Sequence, residues 1–281
     1  RLVVDEKISQ NKEAPHMLGA IIGDIVGSRF EWNNIKTKKF QFLHPYCGPT
    51  DDSYMTLAVA KALTNCKEDY SDLREQTIRC MQEIGRAYPN GCYGGRFDVW
   101  LDEEDPQPYN SWGNGAAMRV SPCAYAAKTL EEAKELAKKV TEVTHNHPEG
   151  LKGAEAVTVA IFLARQGASM EEIKKELDKY YPVKFKLDDI REIFAFDESC
   201  QGTVPYSLAA FYESTSFEDA VRNAISIGGD SDTLAAITGS IAEAFYGIPP
   251  RLQMRVYDYL DENLLNIYEE FEDKVFDDDE E

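Results

Sequence analysis

Residues 17–30 read Met17-Leu18-Gly19-Ala20-Ile21-Ile22-Gly23-Asp24-Ile25-Val26-Gly27-Ser28-Arg29-Phe30. Gly19, Gly23 and Gly27 recur at every fourth position, a spacing that lines one face of an α-helix. Each glycine weakens an isolated helix by about 1 kcal/mol relative to alanine. A stripe of them makes sense where another backbone approaches so closely that a side chain would not fit. The stretch therefore predicts a helix pressed against another element.

Helical spacing continues along the rest of the chain. Residues 53–65 carry Met55, Val59 and Ala62 on one side, and further helices are predicted at 71–87, 114–128, 130–144, 150–167 and 169–179. Others follow at 204–214, 216–227, 232–246 and 250–271. Leu136, Ala137, Val140 and Val143 give the helix at 130–144 a clear apolar face. Leu234, Ile237, Ile241 and Phe245 do the same at 232–246, which Gly247 and Pro249 bring to an end. Residues 40–43 and 183–185 have the composition of extended chain. No alternation of strand and helix appears, which argues against a nucleotide-binding parallel sheet. With neither a repeat nor a Gly/Ser/Pro-rich linker, the expectation is one all-α domain over residues 17–272. Residues 1–16 read as a leader or expression-derived segment, because His16-Met17 resembles a cloning junction followed by a start, and residues 273–281 read as an acidic tail.

A chain of 281 residues can bury a sizeable core. Its formal net charge of −20 opposes unspecific binding to nucleic acid or to an anionic membrane. The same charge repels a small anion, so such a ligand needs local positive charge from metals, helix ends or placed arginines. The cysteines at 47, 66, 80, 92, 123 and 200 form no C-x-x-C pair and read as scattered reduced thiols. That usage fits a reducing, cytoplasmic setting. No apolar run approaches the roughly 20 residues of a membrane span.

Two acidic stretches stand where helices should begin. Thr50-Asp51-Asp52-Ser53 alone reads as an N-cap with acids in the first turn, which the helix dipole favours. Gly228-Gly229-Asp230-Ser231-Asp232-Thr233 is richer than a cap requires, since one side-chain oxygen suffices. Packed together, Asp51, Asp52, Asp230 and Asp232 would repel one another unless a cation lay between them. Oxygen-only side chains select hard ions such as Mg²⁺, Mn²⁺ or Ca²⁺, and so many carboxylates suit two ions.

A third stretch, Ser111-Trp112-Gly113-Asn114-Gly115-Ala116-Ala117-Met118-Arg119, has small residues at a helix start, which can leave N–H groups to cradle phosphates or can simply be a tight turn. Trp112 offers a flat face for a base, or core packing. Thr144-His145-Asn146-His147-Pro148 ends a helix, where a histidine complements the dipole. Asp24 and Glu31 sit on and just beyond the glycine-striped helix, where a carboxylate could reach a cleft.

These motifs, in this order, resemble the ADP-ribosylglycohydrolases, a family that includes dinitrogenase reductase-activating glycohydrolase and the arginine- and serine-type ADP-ribosyl hydrolases. The resemblance rests on Gly23 to Ser28 with Glu31, Thr50-Asp51-Asp52, Gly113 to Arg119, Thr144-His145 and Gly228 to Thr233, and it runs from about Met17 to Pro250. It implies an all-α, orthogonal helix bundle with a dinuclear Mg²⁺ centre, Mn²⁺ being an alternative. Thr50, Asp51, Asp52, Asp230, Asp232 and Thr233 would bind the metals, which would hold the distal ribose. Ser111, Trp112, Gly113, Asn114, Gly115 and Ala116 would contact the phosphates, ribose or adenosine, with His145 lining the same cleft. Glu31 matches a carboxylate that serine-type members carry on a mobile flap. Gly94, Gly95 and Asp98 fall where other members place a glycine loop or a catalytic aspartate, so Glu31 and Asp98 are the expected proton-moving residues.

The implied reaction is Mg²⁺-dependent hydrolysis of the glycosidic bond between ADP-ribose and a modified protein side chain. Glu31 resembles the serine type, but arginine is slightly favoured because Asp98 falls where arginine-type members carry their aspartate, and an acidic surface attracts a basic target. Partners would then be ADP-ribose or an ADP-ribosylated protein, not nucleic acid or membrane. The competing readings are a hydrolase of a free ADP-ribose conjugate or another nucleoside derivative, and a non-catalytic ADP-ribose-binding or crystallin-like relative.

Overall fold

The computed structural model describes residues 17–276. Among them every regular element is a helix. In chain order these are α1 (Gly19–Gly27), α2 (Asp51–Asn65), α3 (Leu73–Ala87), α4 (Gly95–Leu101), α5 (Gly115–Met118), α6 (Ser121–Ala126), α7 (Leu130–Thr141) and α8 (Pro148–Arg165). Then follow α9 (Met170–Leu177), α10 (Leu187–Ile190), α11 (Cys200–Tyr212), α12 (Phe217–Ser226), α13 (Ser231–Tyr246), α14 (Pro250–Val256) and, after a 3₁₀ turn at Tyr257–Tyr259, α15 (Glu262–Phe276). The expected leader at 1–16 lies outside the described residues. So does the end of the expected tail, whose first part belongs to α15.

The glycine stripe is the contact face of α1. A Cβ on Gly23 would stand 2.0 Å from the carbonyl oxygen of Ala235, and one on Gly19 2.2 Å from that of Gly239. On Gly27 it would stand 2.5 Å from Cα of Asp232. α1 and α13 therefore meet backbone to backbone, with no room for a side chain between them. Every residue of α13 from Ser231 to Ala244 is buried. α2 and α15 pack beyond α1, while α8, α11 and α12 enclose the other sides of α13. The functional consequence is positional: the start of α13 lies against α1, one turn from Asp24.

Some expectations change in detail. Residues 114–128 form two short helices, α5 and α6, separated at Arg119-Val120. Pro122 explains the second start, because its fixed φ and missing N–H suit the first turn of a helix. The predicted helix at 250–271 is broken where Leu260 turns extended, and Asp261 restarts it by accepting the Leu264 N–H at 2.9 Å. Residues 40–43 and 183–185 are not strands. α4 and α10 are too short to show helical periodicity and were not expected. The cysteines are free, and all but Cys92 are buried. No described helix is long and apolar enough to cross a membrane.

Candidate active site

The starts of α2 and α13 converge on α1. Thr50, the N-cap of α2, receives Asp52 N–H at its hydroxyl oxygen and donates that hydroxyl to Asp24 Oδ1 at 2.6 Å. The other oxygen of Asp24 accepts the N–H of Thr50 at 2.8 Å and the N–H of Ser53 at 3.0 Å. A fully buried carboxylate on α1 thus anchors the first turn of α2. Asp230 is the N-cap residue of α13 but makes no side-chain cap. Its Oδ2 instead accepts Asn114 Nδ2 at 2.7 Å. Thr233 donates its hydroxyl to Asp52 Oδ2 at 3.1 Å, joining the two helix starts directly.

The carboxylates form two overlapping groups. Asp24, Asp52 and Asp232 bring one oxygen each within 4.8 Å of one another, and so do Glu31, Asp230 and Asp232. Among the described residues no lysine or arginine forms an ion pair with any of them. Burial raises the proton affinity of Asp24, Asp51, Asp52, Asp230 and Asp232, and mutual repulsion adds to it at Asp51, Asp52 and Asp232, which lie well above the usual range. Burial and then the charge of Asp230 push Glu31 up to about 7. Oδ1 of Asp52 is buried with no hydrogen-bond partner. An orphaned carboxylate oxygen in such a field is what a hard divalent cation would satisfy, so the donor set fits the metal that the motifs imply.

The acidic groups open on a cleft of about 690 Å³. Its walls include Glu31, Asp51, Asp52, Asp230, Asp232 and Thr233, and also Gly94, Gly95, Ser111, Trp112, Gly113, Asn114, Gly115 and His145. Thr50 lies behind the wall, bonded to Asp24. Ala116 is fully buried and outside the wall. The N–H groups of Ala116 and Ala117 are already donated to Gly113 and Asn114 carbonyls, so this turn does not offer them to an anion. Asn114 is a holder of Asp230, and its remaining amide hydrogen goes to Thr203 at 3.0 Å. Asp98 also lies outside the wall. On α4 the buried face is taken by Phe97, Trp100 and Leu101, which turns Asp98 to solvent.

His145 gains a defined role from its neighbours. Arg119, almost fully buried, donates Nη2 to Thr144 Oγ1 at 2.7 Å, and Thr144 Oγ1 lies 2.6 Å from His145 Nδ1. A guanidinium only donates, so the threonine oxygen accepts from it, and Nδ1 is the one acceptor that the described contacts give the threonine's own hydrogen. Burial, reinforced by the Arg119 charge, holds His145 neutral far below its ordinary pKa. A neutral ring accepting at Nδ1 carries its proton on Nε2. That Nε2 lies over the glycine loop, 3.2 Å from where a Cβ on Gly115 would be. The cleft that the carboxylates line thereby has an N–H donor in its wall.

Sequence reasoning missed several lining residues, notably Trp32, Tyr109, Phe196 and Arg119. It also gave Asp24 no structural task. A lone aspartate between Gly23 and Gly27 in an otherwise apolar helix was the available signal.

The class that fold and site define is an all-helical domain whose helix starts turn a cluster of buried carboxylates into one cleft. The chain belongs to the ADP-ribosylglycohydrolase family, whose model matches residues 10–278. It is 25% identical over 308 residues to ADP-ribosylhydrolase ARH3 of Bos taurus, covering 83% of this chain and 84% of that one. It is 24% identical over 264 residues to ADP-ribosylarginine hydrolase Tri1 of Pseudomonas putida, covering 83% and 70%. With the ADP-ribosyl-[dinitrogen reductase] glycohydrolase of Rhodospirillum rubrum it shares 28% identity over 209 residues, covering 71% and 69%. A solved structure of an ADP-ribosylglycohydrolase-related protein complex shares the fold, with a TM-score of 0.69 at 23% identity over 92% of this chain and 95% of that one.

Proposed function

We propose that the chain is a Mg²⁺-dependent hydrolase that cleaves the glycosidic bond between ADP-ribose and a modified protein side chain, with arginine as the linkage. The observation that carries this reading is the orphaned Oδ1 of Asp52 within a cluster of buried, unpaired acids at one end of the cleft, while His145 Nε2–H stands at another part of its wall. Divalent cations, when bound, supply Lewis acidity and offset the negative field that would repel a diphosphate. Asp51, Asp52, Asp230 and Asp232, with Thr233 and Thr50, would hold them.

The chain's own groups do the rest. Nε2–H of His145 donates to a phosphate oxygen, and Asn114 keeps Asp230 aimed into the cleft. Glu31 accepts at Oε the proton of the water that attacks the anomeric carbon, as the carbon–nitrogen bond breaks through an oxocarbenium-like state. The same proton is then available to the departing guanidine. Glu31 suits this task because it is a half-buried carboxylate at the cleft whose proton affinity is raised to about 7. Asp98, exposed on α4, is left as an outer residue that could orient a protein substrate.

The test is release of ADP-ribose from a panel of peptides carrying arginine- or serine-linked ADP-ribose, with Mg²⁺ and with excess chelator. Mg²⁺-dependent release is expected, fastest from arginine. Binding without release from any linkage would make the chain a non-catalytic relative. Full release in chelator would remove the metal from the mechanism.

A further inference from the structure

Trp32 is 79% exposed and Phe196 44% exposed, although the protein has a core that buries Phe211, Phe217 and Phe271 completely. Their rings stack, with centroids 5.6 Å apart and planes 21° apart. Both line the cleft that Glu31, Asp230 and Asp232 also line. Rings left this open to water give the fold little of the apolar burial that such side chains usually supply.

The pair is held in place from below. Asn34 Nδ2 donates to the carbonyl of Phe30 at 2.7 Å and to that of Gly229 at 2.9 Å, which fixes the turn bearing Trp32. Lys36 Nζ donates to the carbonyls of Phe194 at 2.7 Å and Ile227 at 2.6 Å, tying that turn to the segment bearing Phe196. The rings therefore stand on two braced loops. Around them the cleft wall carries the carboxylates of Glu31, Asp197 and Glu198.

Flat π faces beside carboxylates form a site for a planar cation. A guanidinium stacks on aromatic rings and pairs with carboxylates, whereas the neutral ether oxygen of a serine linkage can do neither. We propose that the Trp32–Phe196 pair is the subsite for the guanidinium of an arginine-linked substrate, and so sets which linkage is accepted. This rests on the functional reading above.

The experiment measures KM and kcat of wild type, Trp32→Ala, Phe196→Ala and Trp32→Phe on arginine- and serine-linked ADP-ribosyl peptides, with Kd for free ADP-ribose by calorimetry. A cation–π contact of about 0.5–2 kcal/mol predicts that either alanine raises KM for the arginine-linked peptide by about 2–30-fold. Kd for free ADP-ribose should stay put, and Trp32→Phe should restore most of the KM loss, because it keeps an aromatic face; it also removes the indole N–H that bonds Glu31, so kcat is read separately from KM. The subsite is overturned if KM is unchanged, if both linkages suffer equally, or if ADP-ribose affinity falls in parallel. Those outcomes leave the functional reading standing provided wild type releases ADP-ribose. A wild type that neither binds ADP-ribose nor releases it from any peptide overturns the functional reading, and the subsite with it.

Discussion

The side-chain amide of Asn34 bonds Gly229 in both directions, accepting its N–H at 2.8 Å and donating to its carbonyl at 2.9 Å. Glu31 is thereby fastened to the loop that presents Asp230, so the expected flap carboxylate is braced in this arrangement. Gly229 cannot be varied to test this, because its φ is +72° and a Cβ would stand 2.4 Å from the Phe194 ring. Asn34 can. Asn34→Ala removes these bonds at a partly exposed site, so stability should fall by only about 1 kcal/mol. Turnover should fall further, roughly 10-fold or more, because misplacing a reacting group by about 1 Å is costly. Thermal unfolding and kcat measured on the same preparation check the claim. A kcat that changes no more than stability predicts would show the brace to be structural only.

Backbone contact between α1 and α13 predicts an unequal response to alanine. A Cβ on Gly23 would stand 2.0 Å from a carbonyl oxygen that cannot move without moving α13, whereas one on Gly48 meets nothing within 4 Å. Gly23→Ala should therefore destabilise by about 3 kcal/mol or more. Gly48→Ala should lie within about 0.5 kcal/mol of wild type. Denaturant midpoints for the pair decide it, and equal midpoints would contradict the close packing.

What the sequence made legible follows from the range of the interactions. The stripe Gly19, Gly23, Gly27 announced a backbone contact because its signal is local and periodic, but not that α13 would be the partner. Asp51, Asp52, Asp230 and Asp232 stood out because too many acids crowded two helix starts. Ala116 and Asp98 lie outside the cleft wall for a local reason that only packing resolves. The turn at Asn114 uses its own N–H groups, and the core face of α4 takes Phe97 and Trp100. Trp32 meeting Phe196, and Lys36 reaching Phe194, are contacts between loops with no shared period, so no spacing could reveal them.

His145 should behave as a pH-dependent destabiliser on the acid side. Its folded-state pKa is far below 6.5 because burial and Arg119 disfavour the imidazolium. The unfolded chain takes up a proton near pH 6.5 and the folded one does not. Stability is therefore undiminished above that pH and declines by about 1.4 kcal/mol per pH unit below it. The buried acids titrate as well, so the informative quantity is the difference between wild type and His145→Gln across pH 5 to 7.5. That difference should carry the slope. A pH-independent difference would mean that His145 takes up its proton as readily in the folded chain as in the unfolded one, and that burial and Arg119 do not hold it neutral.

The acidic cluster makes the sharpest prediction, and it needs no substrate. Asp52 has one oxygen tied to Thr233 and the other buried without a partner, among acids that no basic residue neutralises. Such a centre is held together at a cost that a divalent cation would relieve. Mg²⁺ should therefore raise the thermal midpoint, and at 100 times its dissociation constant the gain should be about 2.7 kcal/mol. Asp52→Asn substitutes an amide for the orphaned acid, lowering the repulsion and removing a charged donor. Without Mg²⁺ that variant should be at least as stable as wild type, and with Mg²⁺ it should gain much less. Ser53→Ala is the useful contrast, since it removes only the bond that the Ser53 hydroxyl donates to Asp24 Oδ2, and should lower stability with and without the ion alike. Calorimetric titration with Mg²⁺ and with Mn²⁺ gives the stoichiometry, for which two ions are expected from the two overlapping carboxylate groups. If neither ion binds wild type or shifts its midpoint, or if Asp52→Asn responds as wild type does, the metal centre is wrong at its foundation, whatever the turnover assays report.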